Sequence, residues 1–534
     1  MIPAIVVFCY LAVVLYIGIF AFRKGKQTRE DFFVASRSLT PYIFLLALFG
    51  TNMTAFSILG SSGAAYQRGV GIFGQLASSS ALIIPLTFLL IGTRLWAVGK
   101  QHGYITQVQF LRERFECGGT GTLIFALTAA MLVPYIIIGV IGGGKTLEAI
   151  SGGKVPYWFG GALVAVVVMS YVFFGGMRGT AWVNTFQTIM FLCFGTIAFI
   201  LIGKALGGYS GVMEKLASDP KTLPLLTRER IAPQEFFSYM FIPLSSIMFP
   251  HVAIMCMTAE KVSAFKKTII FYPICILVLW LPSVFLGVVA ASQFPGLRPG
   301  ESDDVLLRLL NANTSVVLAG VLGAAIMAAV MATDSQILAL CTMFTNDLVR
   351  FYKGATMSDQ AQVWWGRAFV VIVTAAAYFI ALALKDKEGI FNLAIRFAFS
   401  GFSALAPIML AAMYWKRATK WGVFSAAVWV VIALIFTFWL HEHTMKIAPG
   451  PGQPPVQVFP GLGNLFLRTP GGVTHFGYLS VVPMTLIAGL ILWVVSLFTA
   501  PPSAATIAKF FPSPQQGRRA ALGQESALSA RAKT

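Results

Sequence analysis

One acidic residue of this 534-residue chain, Asp334, lies deep inside an apolar stretch of membrane length, whereas the other acidic residues fall in loops or near the ends of such stretches. A carboxylate in the interior of a membrane is costly in free energy, and it usually faces a cavity or an ion path. Asp334 is therefore a candidate ion-binding or proton-carrying group. The alternative is a neutral or hydrogen-bonded residue that packs against a neighbouring helix.

Two short stretches interrupt apolar segments near their middles. They are 48–54 (LFGTNMT) and 243–250 (PLSSIMFP). Gly and Pro release backbone carbonyls from helical hydrogen bonding, and a membrane accepts such carbonyls only where they face protein or a cavity. Two interrupted helices in matching places of two halves indicate the binding site of a secondary transporter. We therefore expect an ion and a solute to bind between these two helices.

The elements that must position these groups are membrane-spanning helices. A hydrophobic content of 57%, a charged content of 11% and a mean hydropathy of +0.78 exclude an ordinary soluble domain. About 20 apolar residues span a bilayer. The thirteen segments that meet this length are 2–22, 41–63, 72–97, 121–150, 157–176, 181–204, 236–258, 268–291, 314–345, 363–384, 389–414, 421–440 and 475–498. The predicted fold class is an all-α polytopic membrane protein.

The net charge of +19 is distributed along the chain in a regular way. Basic residues gather after segments 1, 3, 7, 9, 11 and 13, and Arg178 lies between segments 5 and 6, so every alternate loop is basic. This positive-inside pattern explains the charge through the membrane, without nucleic acid as a partner. It predicts a multi-pass protein of the cell inner membrane, with the N-terminus outside and the C-terminus in the cytoplasm.

Several motifs occur in an order that resembles a known family. They are 31–39 (DFFVASRSL), 60–69 (GSSGAAYQRG), 103–115 (GYITQVQFLRERF), 175–187 (GGMRGTAWVNTFQ), 249–251 (FPH), 334–336 (DSQ), 346–348 (NDL), 401–407 (GFSALAP) and 414–417 (YWKR). Over roughly residues 1–420 the chain resembles the sodium:solute symporters, which include proline, pantothenate, sugar and monocarboxylate transporters. The resemblance implies a leucine-transporter-like (LeuT-like) core of two inverted five-helix repeats with broken helices, and Na⁺ as the coupling ion.

This resemblance implies a division of the chain. The parts are a first transmembrane helix with a basic cytoplasmic linker (1–40), a first five-helix repeat (41–204), an external loop (205–235), a second, inverted five-helix repeat (236–415), two C-terminal transmembrane helices (416–500) and a disordered cytoplasmic tail (501–534). The Gly- and Pro-rich stretch 441–474 is predicted to be an irregular external loop.

The resemblance also implies a sodium site made of carbonyl and hydroxyl oxygens. In the favoured alignment its members are Gly50, Met53, Ala329, Ala332 and Thr333. One of the two hydroxyls expected from segment 9 is then missing, because Ala332 has none. A shifted register offers Asp334 and Ser335 as alternates. Relatives often carry Asp at the positions of Asn52 and Asn184, so we expect one sodium ion per cycle.

The candidate solute-binding groups are polar residues at or near the breaks, together with one arginine. They are Asn52, Thr54, Ser57, Gln75, Ser245, Ser246 and Arg396. Each could instead be satisfied by helix packing or water. Arg396 either extends to the outer interface or holds a substrate carboxylate in the outer vestibule. His251, beside Pro250, could titrate, but we interpret it as a capped structural histidine.

The predicted function is sodium-coupled symport, in the direction of uptake, of a small polar organic solute by alternating access. The first alternative is proton-coupled symport through Asp334. An alternative from another class is a channel or a non-transporting solute sensor, although no repeated pore loop, charged ring or signalling domain is visible. No HExxH, GxSxG or P-loop motif points to an enzyme. The sequence does not identify the solute or the oligomeric state, and a monomer is plausible.

Overall fold

The computed structural model describes residues 2–25, 28–298, 300–353, 357–384, 390–450 and 453–511. Within them, ten helices are long and apolar enough to cross a membrane, and two bent helix pairs bring the number of candidate spans to twelve. The helices are α1 (Ile2–Lys24), α2 (Arg29–Val34), α3 (Pro41–Asn52), α4 (Phe56–Arg68), α5 (Gly71–His102), α6 (Gln107–Arg114), α7 (Gly118–Ile150), α8 (Tyr157–Ala205), α9 (Ser210–Ser218), α10 (Pro233–Met248), α11 (Pro250–Cys256), α12 (Ala264–Ala290), α13 (Val305–Asn313), α14 (Val316–Lys353), α15 (Asp359–Ala383), α16 (Ala394–Tyr414), α17 (Lys420–His443), α18 (Val481–Phe498) and α19 (Ala504–Phe510).

The 49 residues of α8 form two arms rather than one straight rod. A straight helix of that length would extend about 73 Å, more than twice the hydrocarbon thickness of a bilayer. The chain turns at Gly176, where φ is +51° and a Cβ atom would lie 2.6 Å from the carbonyl oxygen of Phe32. Tyr171 and Asn184, thirteen residues apart, both hydrogen-bond to Asp334. The two arms correspond to the predicted segments 157–176 and 181–204.

Both predicted breaks are confirmed as sharp bends. The axes of α3 and α4 differ by 61°, and those of α10 and α11 by 57°. The first helix ends at Met53, whose N–H donates to the carbonyls of Phe49 and Gly50. The second break is at Phe249, where ψ is 117°, directly before Pro250. Proline cannot donate a backbone hydrogen bond, so the ladder is interrupted at the position that the sequence indicates.

The centre of the bundle lies where α3, α8 and α14 meet. α8 packs against α1, α3, α7 and α14, and α14 also contacts the end of α3. Large apolar side chains on the outward sides of α1, α12, α15, α17 and α18 are exposed, including Tyr16, Ile270, Phe379, Ile435 and Leu490. An exposed apolar belt is what a lipid environment requires.

The prediction of an irregular loop over 441–474 is wrong. An antiparallel sheet in the order β1-β2-β3-β4 is formed by β1 (Val456–Gln457), β2 (Leu467–Thr469), β3 (Gly472–His475) and β4 (Tyr478–Leu479). The strands are only two to four residues long, so they show no alternating pattern that a sequence can reveal. The last span consequently begins at Val481 rather than at residue 475.

The predicted disorder of the tail is wrong for 504–510, which form α19. Ser503 caps this helix by accepting a hydrogen bond from the N–H of Thr506. The ring of Phe510 packs edge-on against Phe110 of α6 and against His102. Residues 512–534 lie outside the described residues. The predicted external loop contains α9 and the start of α10.

Candidate functional site

Asp334 is fully buried on α14, one residue after a 3₁₀ turn at Met331–Thr333. One carboxylate oxygen accepts a hydrogen bond from the Tyr171 hydroxyl at 3.0 Å. The other accepts from the Ser335 hydroxyl at 3.0 Å and from the Asn184 amide at 3.3 Å. Both arms of α8 therefore hold this carboxylate, because Tyr171 precedes the turn at Gly176 and Asn184 follows it.

The same group of side chains reaches the first break through Thr51. The Thr51 and Ser335 hydroxyl oxygens are 2.8 Å apart. The Asn184 amide donates to both of them, at 3.1 and 2.7 Å. We call Thr51, Tyr171, Asn184, Asp334 and Ser335 the Asp334 cluster, and all five are buried.

The Asp334 cluster contains one unsatisfied acceptor. The amide nitrogen of Asn184 shares its two hydrogens among three acceptors, but its Oδ1 has no partner among the described residues. A buried acceptor without a partner costs about 1–3 kcal/mol, and a cation would satisfy it. Among the described residues no three His, Cys, Asp or Glu side chains converge. The hydroxyl, carboxylate and amide oxygens of the cluster are the kind of ligand that a hard cation prefers.

The favoured sequence-based ion ligands are placed differently. Gly50 and Met53 end α3, and Ala329 and Ala332 are buried on α14 without polar side-chain atoms. Thr333 donates its hydroxyl to the Val330 carbonyl at 3.2 Å, and it packs against Gly139 of α7. These five ligands stay a prediction. The alternates Asp334 and Ser335 are the ones that side-chain hydrogen bonds join to the first break.

A cavity of about 450 Å³ lies between the two breaks. Its wall includes four of the predicted solute-binding residues. These are Asn52, Ser57, Ser245 and Ser246. The remainder of the wall is largely apolar and aromatic, with Phe56, Phe249, Trp280 and Phe399. We call this space the central cavity.

Two of the buried side chains in this region have polar atoms without partners among the described residues. Gln75, a predicted solute-binding residue, is completely buried with neither amide atom hydrogen-bonded, but it does not line the central cavity. The indole N–H of Trp280, which lines the cavity, also has no partner. Thr54, in contrast, donates to the Tyr135 hydroxyl at 3.4 Å and does not line the cavity.

The sequence also matches a protein-family model. The model described as the sodium:solute symporter family matches residues 32–430. The chain belongs to the sodium:solute symporter family. It is 26% identical over 503 residues to the sodium/pantothenate symporter of Haemophilus influenzae, covering 91% of this chain and 94% of that relative. It is 24% identical over 516 residues to the sodium/proline symporter of Staphylococcus aureus, covering 94% and 93%.

Solved structures confirm the fold of this symporter. A Na⁺-coupled sialic acid symporter in a substrate-bound outward-open state has a TM-score of 0.74 at 15% identity, and the likeness covers 94% of this chain and 99% of that one. Mhp1, a nucleobase-cation-symport-1 family transporter, has a TM-score of 0.55 at 11% identity, covering 89% and 97%. The recognition and the LeuT-like fold predicted from the sequence are confirmed. The activity is sodium-coupled symport of a small solute, with Na⁺ as the coupling ion.

A route leads from the central cavity of this symporter towards the β1–β4 sheet. Tyr239 lines both the central cavity and a second cavity of about 590 Å³. Arg68 and Glu235, which form an ion pair at 2.5 Å, line the second cavity and a third of about 1450 Å³. We call the side that carries the sheet the sheet face.

Arg396 belongs to this route and not to the central cavity. It lines the second cavity, and its guanidinium donates to the Gly471 carbonyl at 3.4 Å. The structure therefore separates it from the other predicted solute-binding residues. Its position is compatible with the predicted role in an outer vestibule.

The opposite side of the bundle carries Arg23, Lys24 and the arginines of α6, and we call it the basic face. On this side, α6 closes the bundle. The Gln107 amide donates to the Met248 carbonyl at the second break, at 2.7 Å. The Thr106 hydroxyl donates to Asp347 at the end of α14, at 2.8 Å, and Arg112 donates to the Asp347 carbonyl at 3.0 Å. One short helix thus joins the second break to the helix that carries Asp334.

Several residues of the site were not among the sequence-based candidates. Thr51, Tyr171 and Trp280 gave no signal of their own, since hydroxyls and indoles are common in membrane helices. Asn184 was considered only because relatives often carry a charged Asp at its position. The interpretation of His251 as a capped residue is wrong, because both of its ring nitrogens are buried without hydrogen-bond partners in the described part of the chain.

Proposed function

We propose that sodium binds at the Asp334 cluster and that the solute binds in the central cavity. The observation that carries this proposal is the adjacency of Thr51 and Asn52 at the first break. Thr51 hydrogen-bonds within the Asp334 cluster, whereas Asn52 lines the central cavity and donates to the Tyr272 hydroxyl at 2.6 Å. An ion that binds Thr51 and shifts its backbone therefore also shifts Asn52 in the wall of the central cavity. Such a shared element is what a coupling free energy between two sites requires.

The proposed ion ligands are oxygen atoms that are already close together. They are the hydroxyls of Thr51 and Ser335 and the Asp334 carboxylate, and a rotation of the Asn184 amide would add its Oδ1. Asp334 supplies the negative charge that Asn184 lacks, so one ion per cycle is compatible with this site. The rival position is the sequence-based set that includes Thr333, and its ligands come from α14 and the end of α3.

The chemistry of the central cavity restricts the solute. None of the described side chains that line it is Asp, Glu, Lys, Arg or His. A net charge on the solute would be buried without a side-chain partner, which is costly. The hydroxyls of the wall and the Trp280 N–H can hydrogen-bond to polar groups of the solute, and the aromatic wall can contact an apolar part. We therefore propose a neutral or zwitterionic solute, as in the sodium/proline relative, rather than an organic anion, as in the sodium/pantothenate relative.

The proposed orientation follows the positive-inside pattern. The basic face is cytoplasmic and the sheet face is external, so the N-terminus is outside, the C-terminus is inside, and the membrane is the inner membrane of a bacterium. Solute and sodium then enter through the vestibule beside Arg68 and leave after α6 has moved. Inward movement of one sodium ion across 100 mV supplies about 2.3 kcal/mol.

The decisive experiment is uptake into proteoliposomes with sodium and proton gradients imposed separately. The panel contains proline, other zwitterionic amino acids, neutral sugars, pantothenate and monocarboxylates. We expect uptake of a neutral or zwitterionic member to follow the sodium gradient. Uptake that follows only pH and disappears in Asp334→Asn would replace sodium coupling by proton coupling. Uptake of pantothenate alone would contradict the proposed solute class.

Two matched variants distinguish the ion positions. Thr51→Val and Thr333→Val each remove one hydroxyl and keep the side-chain shape. If sodium binds at the Asp334 cluster, Thr51→Val raises the sodium concentration for half-maximal uptake about tenfold, because a ligand is lost, and Thr333→Val changes it little. The reverse result would move the ion to the sequence-based site.

A further inference from the structure

A separate cavity of about 880 Å³ opens on the basic face, at the junction of α1, α2, α8 and α15. It shares no lining residue with the central cavity or with the route to the sheet face. Its wall combines one arginine, Arg367, with aromatic side chains. Phe174 and Trp364 in this wall are 45% and 59% exposed, so the cavity is open towards the lipid side of the bundle.

Arg367 is only partly satisfied by the protein. Its Nε donates to the Phe173 carbonyl at 2.9 Å. The guanidinium lies 5.2 Å from the centre of the Phe173 ring, 5.4 Å from that of Trp364 and 5.7 Å from that of Phe32. Neither Nη group has a hydrogen-bond or ion-pair partner among the described residues. Aromatic rings hold the guanidinium in place, and its two outer nitrogens are left to bind a ligand.

The acidic groups near the cavity do not neutralise Arg367. Asp31, in the wall, forms an ion pair with Arg178 at 2.5 Å and accepts a hydrogen bond from Ser36 at 2.8 Å. Glu30, near the rim, forms an ion pair with Arg37, and Asp359 accepts a hydrogen bond from the backbone N–H of Arg29 at 3.4 Å. α1 ends at the same rim with two further basic residues, Arg23 and Lys24. Of the two charged residues that line the cavity, Asp31 is thus paired with Arg178, whereas Arg367 has no acidic partner among the described residues.

Arg367 places a positive charge next to an apolar wall that faces the lipid, and this combination is suited to an anionic lipid. Arginine binds phosphate through paired N–H donors, and Trp is enriched where a bilayer meets water. Anionic lipids are attracted to basic residues next to the membrane. We propose that this cavity binds an anionic phospholipid of the cytoplasmic leaflet, with its phosphate on Arg367 and an acyl chain along Phe174 and Trp364. The choice of leaflet rests on the orientation proposed above.

A bound lipid would act on the helix that holds the ion cluster. The cavity wall includes Gly175 and Phe32, and the carbonyl of Phe32 lies against the turn of α8 at Gly176. The two arms that leave this turn carry Tyr171 and Asn184. A lipid that fills the cavity would therefore stabilise the turn and the protein as a whole.

The test measures thermal unfolding of the purified full chain in detergent, with added phosphatidylglycerol, phosphatidylcholine or inorganic phosphate. Native mass spectrometry of the same samples counts bound lipids. The variant is Arg367→Gln. Its matched control is Arg94→Gln, because Arg94 also donates to one carbonyl, that of Met413 at 2.8 Å, and lies over one ring, that of Tyr414 at 4.0 Å, but does not line this cavity.

We expect phosphatidylglycerol, and not phosphatidylcholine, to raise the unfolding temperature of the wild type and of Arg94→Gln. In Arg367→Gln the apparent affinity for phosphatidylglycerol should fall about tenfold, the loss of one charge-assisted hydrogen bond. Trp364→Ala, which keeps the charge of Arg367, should weaken lipid binding without abolishing the preference for phosphatidylglycerol over phosphatidylcholine. This variant provides the test if Arg367→Gln does not fold.

Three results would overturn this proposal. They are equal stabilisation by both lipids, equal stabilisation by inorganic phosphate alone, and an unchanged phosphatidylglycerol response in both Arg367→Gln and Trp364→Ala. The measurement needs neither solute nor a sodium gradient. Its failure would therefore leave the proposed transport function standing.

Discussion

The central cavity is separated from the sheet face and from the basic face by different kinds of structure. Towards the sheet face, Tyr239 lies between two cavities and the ion pair of Arg68 and Glu235 lies between the second and the third. Towards the basic face, α6 is hydrogen-bonded to the second break and to the end of α14. The barrier towards the sheet face consists of side chains. The barrier towards the basic face is a helix, whose side chains are hydrogen-bonded to the backbone carbonyls of Met248 and Asp347.

This difference indicates which barrier can open at low cost. Side-chain rotations need no backbone rearrangement, so the route to the sheet face can open while the bundle stays unchanged. Release of α6 requires several buried hydrogen bonds to break together, and each unsatisfied group costs about 1–3 kcal/mol. We infer that the described conformation is closed on the basic face and nearly open on the sheet face. The alternating-access cycle then depends mainly on α6.

The largest expected effect comes from weakening the barrier at α6. Gln107→Leu keeps the side-chain size but leaves the Met248 carbonyl without its buried donor. We expect the central cavity to become accessible from the basic face, with a roughly tenfold faster reaction of a Ser246→Cys reporter with an impermeant maleimide, and a comparable loss of uptake. Inside-out and right-side-out vesicles of an otherwise cysteine-free chain measure the two faces separately.

The control for this variant is Gln362→Leu. Gln362 is also buried on the basic face, but its amide donates to the Met357 carbonyl, away from α6. An equal change in both variants would show that any lost hydrogen bond on this face opens the bundle, and the special role assigned to α6 would be withdrawn.

A smaller effect is expected from the ion pair on the route to the sheet face. Arg68→Gln leaves Glu235 without its ionic partner in a partly exposed position, so the loss is about 1 kcal/mol, or roughly fivefold in the rate of reporter labelling from that face. The double variant Arg68→Glu with Glu235→Arg should restore the slow rate. Labelling that stays slow in Arg68→Gln would mean that Tyr239 alone closes the route.

The sheet face also contains a group that titrates near neutral pH. Asp303 is buried beside Lys145, 3.2 Å away, and burial raises the pKa of its carboxyl to about 6. A raised pKa means that the folded protein binds this proton more tightly than the unfolded chain. The contribution of Asp303 to stability is therefore fully present below about pH 4 and is lost as the pH rises through 6.

Asp303→Asn removes this titration, so the unfolding temperature of the wild type minus that of the variant should fall as the pH rises from 4 to 7. The change should be complete just above pH 6, and a few degrees are expected for a loss of about 3 kcal/mol in a chain of this size. A difference that is constant with pH would show that Asp303 keeps an ordinary pKa.

The smallest effect is expected from α19, which supports the barrier from outside. Lys509 contacts Glu113 of α6, and the centre of the Phe510 ring is 5.5 Å from that of Phe110. Phe510→Ala should raise labelling of the Ser246→Cys reporter from the basic face about twofold, because the contact is partly exposed. Phe498→Ala, at a side chain that is 85% exposed, is the control and should have no effect.

Local features of the sequence allowed much of this molecule to be predicted. Apolar runs of membrane length indicate spans because bilayer thickness sets their length. Gly50, Pro243 and Pro250 indicate the two breaks because they act on their own backbone. Short strands such as β1 and β4 were missed because a pair or triplet of residues has no periodicity. The docking of α19 was missed because its partner, α6, is almost 400 residues earlier in the chain.

The sequence by itself determined the membrane class, the positions of the two breaks and the location of Asp334 inside an apolar span, since each depends on neighbouring residues or on composition. Only the tertiary structure decided which side chains meet Asp334. Thr51, Asn184 and Ser335 come from three helices that are far apart in the chain, and their contact depends on how those helices are rotated and packed. The same packing directs Thr51 into the Asp334 cluster and its neighbour Asn52 into the wall of the central cavity, because successive residues of a helix face different directions.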